Sequence, residues 1–318
     1  MPPTLSDDSS VRIINGEPMQ SQYQLQMRQF GRKHFCGAVL ISPSFALTAE
    51  HCFWNHDKKH ITIHAGGYTR SDKNTQIRRI EKFIQLVNKD HSQAPGYPDI
   101  VILKVTEPFD INDDVKPACL PTRPVPYDTP CVVSGWGNTM TNDTKDIKLQ
   151  ATTLRTITLQ QCRKRYEKYV GEYENATKRI SEEKLCAWKD GTSGCMGDSG
   201  GPLVCATNGG ATLHGIVHGG HPNDSDPKFC LEEPNIYTDV FYFVDIIEQI
   251  IRDENDHPCP IESADYGDGH CDGMINNAEH CFDGGDCCGP DANFDHCHWM
   301  CFVQGSTQCN CSCFSNNP

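Results

Sequence analysis

The chain has 318 residues, 37% of them hydrophobic, with 28 Lys and Arg against 42 Asp and Glu for a formal net charge of −14. That acidity argues against a nucleic-acid partner, and no uninterrupted apolar run is long enough to span a bilayer. Nineteen cysteines, ten of them after residue 255, belong to an oxidising compartment and mark the protein as secreted or luminal.

The opening, MPPTLSDDSSVR, is polar and lacks the apolar core of a secretory signal. Such a signal is expected to be missing from this sequence, or its start to be misassigned. From Ile13 to about Arg252, short apolar or alternating runs are separated by Gly, Pro, Asn and Asp: CGAVLISPSFALTA, HITIHAG, DIVILKV, CVVSGWG, LHGIVHGG and NIYTDV. Many short strands joined by turns predict an all-β fold, an antiparallel sandwich or barrel pair rather than α/β. DVFYFVDIIEQIIRDEND then places Phe243, Ile246, Ile247, Ile250 and Ile251 on one helical face, predicting a closing helix packed on the barrel. After Pro258 the composition shifts to Cys, Gly, Asp, Asn and His with few aliphatics, so crosslinks or metal must replace an ordinary core. A domain boundary is placed near residues 253 to 258.

Three blocks carry chemistry. CMGDSGGPLVC, Cys195 to Cys205, sets Ser199 between an aspartate and glycines. A serine hydroxyl attacks a carbonyl only if a base takes its proton and donors stabilise the oxyanion. LTAEHC offers His51 at the end of an apolar strand, and imidazole is the side-chain type that trades protons near neutrality. YPDIVILKV offers Asp99, a carboxylate that can hold an imidazole in one tautomer.

In the order RIING, LTAEHC, DIVILKV, KPACLP, CVVSGWG and CMGDSGGPLVC, residues 12 to 252 resemble the trypsin/chymotrypsin-like serine proteases. The resemblance implies two packed antiparallel β-barrels with a C-terminal helix, and residues 13–254 as the protease domain after a propeptide remnant, 1–12. It implies Ser199 as nucleophile, His51 as general acid/base, Asp99 as its orienting partner, and the N–H groups of Gly197 and Ser199 as oxyanion hole. No catalytic cofactor is implied. A zymogen is: an activating protease would cut after Arg12 and free the amino group of Ile13 to pair with Asp198. The resemblance pairs Cys36 with Cys52, Cys131 with Cys205, Cys162 with Cys186 and Cys195 with Cys230, leaving Cys119 over.

Against the family pattern, the pocket is expected to be formed by Ser193, Gly194, His218, Gly220 and Asn235. Ser193 stands where a trypsin has Asp, so cutting after Arg or Lys is not expected. Asn235 replaces a usual glycine, which predicts small to medium uncharged side chains before the scissile bond. VHGG, Val217 to Gly220, replaces the usual Ser-Trp-Gly. His218 there is expected beside Asp99, where it competes with His51, and Gly219 removes an aromatic platform. Glu50 is an unusual neighbour of His51.

The tail, GDGHCD, INNAEHC and CFDGGDC, resembles a Lin-12/Notch repeat over residues 255–288. That resemblance implies bridges Cys259 to Cys281 and Cys271 to Cys287, with Ca2+ held by Asp283 and Asp286 and, beyond them, Asp268 and Asp272, oxygen ligands that suit a hard cation. Zinc competes, because DHCHWMC offers Cys and His. Residues 289–318 match no family; Cys288, Cys297, Cys301, Cys309, Cys311 and Cys313 form a set whose connectivity sequence does not reveal. Sequons stand at Asn142, Asn175, Asn223 and Asn310. The leading expectation is a secreted serine endopeptidase acting on proteins or peptides, with a tail that binds an extracellular protein. The alternative is a catalytically weak homologue serving as a binding module.

Overall fold

The structure, a computed structural model, describes residues 13, 16–30, 33–54, 56–86, 98–137, 147–170, 180–207, 210–218, 230–231 and 234–254. Arg12, Gly219, Gly220, all four sequons and everything predicted for the cysteine-rich tail lie outside the described residues.

Six antiparallel strands close the first barrel: β2 (Gln24–Gln29), β3 (Lys33–Ser42), β4 (Phe45–Thr48), β5 (Ile61–Ala65), β6 (Gln76–Gln85) and β7 (Val101–Val105), in the order β2-β3-β4-β7-β6-β5. The two-residue period turns Leu25 and Met27 of β2, and Ile61, Ile63 and Ala65 of β5, into one interior. Pairing of Met27 with Ile63 completes the ring.

The second barrel is built from β8 (Pro130–Gly135), β9 (Gln150–Ile157), β10 (Lys184–Trp188), β11 (Pro202–Thr207), β12 (Gly210–Val217) and β13 (Asn235–Asp239), closed where β8 pairs back onto β9. A two-residue strand, β1 (Glu17–Pro18), adds to β9. Val133, Leu154, Leu203 and Tyr237 fill this core around the Cys131–Cys205 disulfide, whose ends face each other on β8 and β11. The all-β expectation of two packed barrels is met.

Two longer helices among the described residues pack with the barrels. The closing helix, α2 (Val240–Glu254), starts where the Asp239 carboxylate accepts the Phe241 N–H at 3.0 Å. It buries Val240, Phe243, Val244, Ile247 and Ile251, while Ile246 and Ile250 are only partly covered. Although it leaves the second barrel, its far end sits on the first: Lys104 Nζ donates to the Glu254 carbonyl at 2.9 Å, and Lys82 Nζ lies 2.5 Å from the Glu254 carboxylate. The predicted elements do not include α1 (Leu159–Val170). Its signal was a capping box: Thr158 Oγ1 accepts the Gln161 N–H at 3.1 Å, and Gln161 Oε1 accepts the Thr158 N–H at 3.0 Å. Cys162–Cys186 ties α1 to β10.

Two further bridges among the described residues are Cys36–Cys52 and Cys195–Cys230. Cys119 is disulfide-bonded too, to a partner outside the described residues.

Candidate active site

His51 is delivered by the end of β4. After extended Ala49 the chain turns through a short 3-10 helix, Glu50–Phe53, stapled to β3 by Cys36–Cys52. There the His51 N–H donates to Asp99 Oδ1 at 2.8 Å, and its Nδ1 lies 2.7 Å from Asp99 Oδ2. A carboxylate only accepts, so Nδ1 carries the proton and Nε2 is left as a base. Asp99 stands just before β7, and its carbonyl accepts the hydroxyl of Thr238 on β13 at 3.0 Å.

A second imidazole shares that carboxylate. His218, one residue past β12, brings Nδ1 to 2.5 Å from the same Asp99 Oδ2. Burial alone would raise the Asp99 carboxyl; the hydrogen bonds and charge of His218 and His51 outweigh it and hold the group well below the usual carboxylate range. Burial, chiefly, pushes the His218 imidazole down, against the pull of Asp99 and with help from Lys184.

Ser199 is held by backbone that only glycine allows. Gly200 has φ of +76°, and a Cβ there would meet Thr48 Oγ1 at 2.2 Å and the Gly37 carbonyl at 2.5 Å. The Gly37 N–H donates to the Ser199 carbonyl at 2.8 Å, and the Gly200 N–H to the Val217 carbonyl at 2.9 Å. The serine loop is thus wedged against β3 and the end of β4, three residues before His51. Among the described residues, no hydrogen bond takes up the amide N–H of Gly197 or of Ser199. The Gly197 carbonyl is drawn the other way, accepting from His34 Nε2 at 3.0 Å. His34 is kept neutral, its imidazole pushed down to about 3 by burial and by nearby Arg70.

Asp198 points inward. Its Oδ1 accepts the Gly137 N–H at 2.8 Å and its Oδ2 the Cys195 N–H at 2.9 Å. A Cβ on Gly135 or Gly137 would overlap the carboxylate, which explains the two glycines of SGWG. Burial pushes Asp198 up to about 6 in spite of those donors and the Arg70 charge. Ile13 is itself completely buried.

At the pocket position, Ser193 is 2% exposed and its hydroxyl lies 2.9 Å from Asn235 Nδ2. Asn235 Oδ1 accepts the Gly194 N–H at 3.0 Å. The asparagine amide is therefore locked across Ser193 and Gly194. Glu50 does not touch the His51 ring: its carboxylate accepts from Trp54 Nε1 at 2.5 Å and Gln85 Nε2 at 3.0 Å. Sequence reasoning missed the outcome, an exposed Trp54 held edge-on 6.1 Å from the His51 ring; its signal was the aromatic pair following HC in HCFW. His34 and Arg70 were missed as well, and no local pattern marks either one. Two groups among the described residues offer three metal donors: Cys36, His51 and Cys52, whose sulfurs are joined to each other, and His51, Asp99 and His218.

A barrel pair with this arrangement at its seam has known counterparts. The Trypsin family model matches residues 12–247, and the chain belongs to that family. It is a serine endopeptidase, a hydrolase that needs no catalytic cofactor. Snake venom serine protease ussurin of Gloydius ussuriensis is 30% identical over 236 residues, 72% of this chain and 90% of its own length. Neuropsin, a serine protease expressed in the limbic system of mouse brain, superposes with a TM-score of 0.59 at 25% identity, covering 74% of this chain and 99% of that one. No helix among the described residues is long and apolar enough to cross a membrane.

Proposed function

We propose that Ser199 attacks the scissile carbonyl while His51 Nε2 takes its proton and later returns it to the leaving amine. Asp99 holds the His51 Nδ1–H and balances the imidazolium that forms. The N–H groups of Gly197 and Ser199 receive the oxyanion, where each donor is worth about 3 kcal/mol of barrier. The observation that carries this reading is the doubly bonded His51–Asp99 pair beside a serine loop wedged onto the strand that delivers His51.

Residues 13–254 form the protease domain, made as a zymogen that an activating protease cuts after Arg12. Burial of Ile13, and a buried Asp198 carboxylate whose hydrogen-bond partners among the described residues are backbone N–H groups, support pairing of the new ammonium with Asp198. The locked Ser193–Asn235 floor supports a preference for small to medium uncharged residues before the scissile bond, and exposed Trp54 adds an apolar lip. Residues 255–288 are a Lin-12/Notch-like module binding Ca2+ through Asp268, Asp272, Asp283 and Asp286, with 289–318 as a further disulfide-rich segment that locates the enzyme or recruits substrate outside the cell.

His218 supports a second reading, weak catalysis with binding as the main role, because it draws on the same Asp99 oxygen as His51. A fluorophosphonate probe separates the two. The chain cut after Arg12 should label while the intact chain and a cut Ser199→Ala form should not; silence in all three, with folding verified, favours the binding module.

A further inference from the structure

We propose that His51, Asp99 and His218 form a site for Zn2+ that silences the protease when filled. The three donor atoms lie within 4.8 Å of one another. Two imidazole nitrogens and one carboxylate oxygen make a borderline-soft set suited to zinc, which commonly takes three protein ligands and leaves a fourth position open. Calcium and magnesium prefer oxygen throughout.

The geometry needs a small opening. Asp99 Oδ2 is 2.7 Å from one Nδ1 and 2.5 Å from the other, whereas tetrahedral zinc with bonds of about 2.0–2.1 Å separates its ligands by roughly 3.3 Å. The two rings must each retreat by somewhat under about 1 Å. Neither ring is enclosed on every side: the rings stand at 90° with centroids 6.2 Å apart, and the His51 and His218 side chains are 25% and 21% exposed. Asp99 meanwhile stays anchored by the His51 amide on Oδ1 and by Thr238 on its carbonyl, outer contacts of the kind that hold a ligating carboxylate in place.

The chemical consequence follows from the tautomers. In the metal-free site both Nδ1 atoms bear a proton directed at Oδ2. An ion there takes the Nδ1 lone pairs, and each neutral ring then carries its proton on Nε2, so protons relocate through solvent and none is lost. With a proton on Nε2, His51 cannot accept one from Ser199. Silencing therefore rests on the proposed role of His51, while binding does not.

The test uses the full chain carrying Ser199→Ala, titrated with ZnCl2 by calorimetry, against the same chain with His218→Gln added. The tail is common to both, so zinc bound there cancels in the comparison. The added substitution should abolish one bound ion or weaken one site at least tenfold. Cu2+ as a spectroscopic substitute should show two coupled imidazole nitrogens in the first chain and one in the second. His51→Ala, at a partly exposed turn, serves as the second variant, with circular dichroism verifying each fold. Equal stoichiometry and affinity in all three chains would overturn the site. Separately, the cut wild-type chain is labelled with fluorophosphonate with and without ZnCl2. Labelling lost in zinc and restored by chelator supports silencing, and labelling undiminished by saturating zinc overturns it. No labelling under either condition, with the bound ion still dependent on His218, strikes at the protease reading and upholds the metal site.

Discussion

Asp198 makes the uncut chain sensitive to pH in a direction that can be worked out. Burial lifts its carboxyl from the ordinary value near 3.8 to about 6, a change of about a hundredfold in acidity, or about 3 kcal/mol at roughly 1.4 kcal/mol per tenfold. At pH 5 the folded chain still holds a proton that the unfolded chain has released. Stability must therefore fall as pH rises from about 4 to about 6 and level off above. Asp239 is also pushed up to about 6 by burial, so a raw stability curve mixes the two groups, and Asp198→Asn separates them. In the Ser199→Ala background, uncut, the stability of the chain that keeps Asp198, taken relative to its Asp198→Asn variant, should drop by about 3 kcal/mol between pH 4 and pH 7. For a domain of this size that corresponds to a melting shift of roughly 6–12 °C. Urea or thermal unfolding followed by tryptophan fluorescence reads it directly. If cutting after Arg12 brings an ammonium at Ile13 to Asp198 as proposed, that countercharge should make the drop shrink or reverse in the cut chain. A relative stability flat within about 0.5 kcal/mol in the uncut chain would refute the argument.

Asn235→Gly should open the pocket floor and raise kcat/KM for substrates with a large aromatic residue before the cut by about tenfold or more, measured on matched peptide substrates; an unchanged ranking would mean that the floor does not set specificity. Gly200→Ala should cost several kcal/mol and abolish probe labelling, because the new Cβ meets Thr48 and the Gly37 carbonyl at a backbone angle that disfavours any side chain; a near-native melting temperature with full labelling would contradict the wedge. Eight of the nine cysteines before residue 255 pair among themselves, so non-reducing peptide mapping should find the Cys119 bond running to a cysteine beyond residue 254. Ten cysteines stand there; using one leaves an odd number, and thiol counting should detect at least one cysteine that is free or bonded to another chain.

The barrels were legible because each strand states its own inside and outside through alternation, and turn residues state its ends. α2 was legible as a face, but which of its isoleucines are fully covered depends on how it lies on the first barrel, and Ile246 and Ile250 drift to the edge. α1 went unread because LQQCRKRYEKYV is mostly polar, its helix secured by the Thr158–Gln161 caps and one disulfide. At the site, residue types and their order stand in the sequence, and the distances do not. That Glu50 reaches Gln85 on β6, that His34 draws back the Gly197 carbonyl, and that Arg70 approaches Asp198 all depend on segments far apart in the chain meeting across the fold. No residue-by-residue pattern encodes such meetings.

The seam itself has a consequence for how inactivation should be read. His51 and Asp99 come from one barrel, Ser199, Thr238 and His218 from the other, and most of the second barrel's core forms a separate cluster. A molecule with both barrels intact but slightly undocked would keep its strands, its disulfides and nearly all of its spectroscopic signature while losing every alignment between the two halves. Turnover should therefore depend on the register of the two barrels as well as on the folding of each, a register held by Val204, Leu213 and Ile216 of the second barrel, which share the first barrel's core.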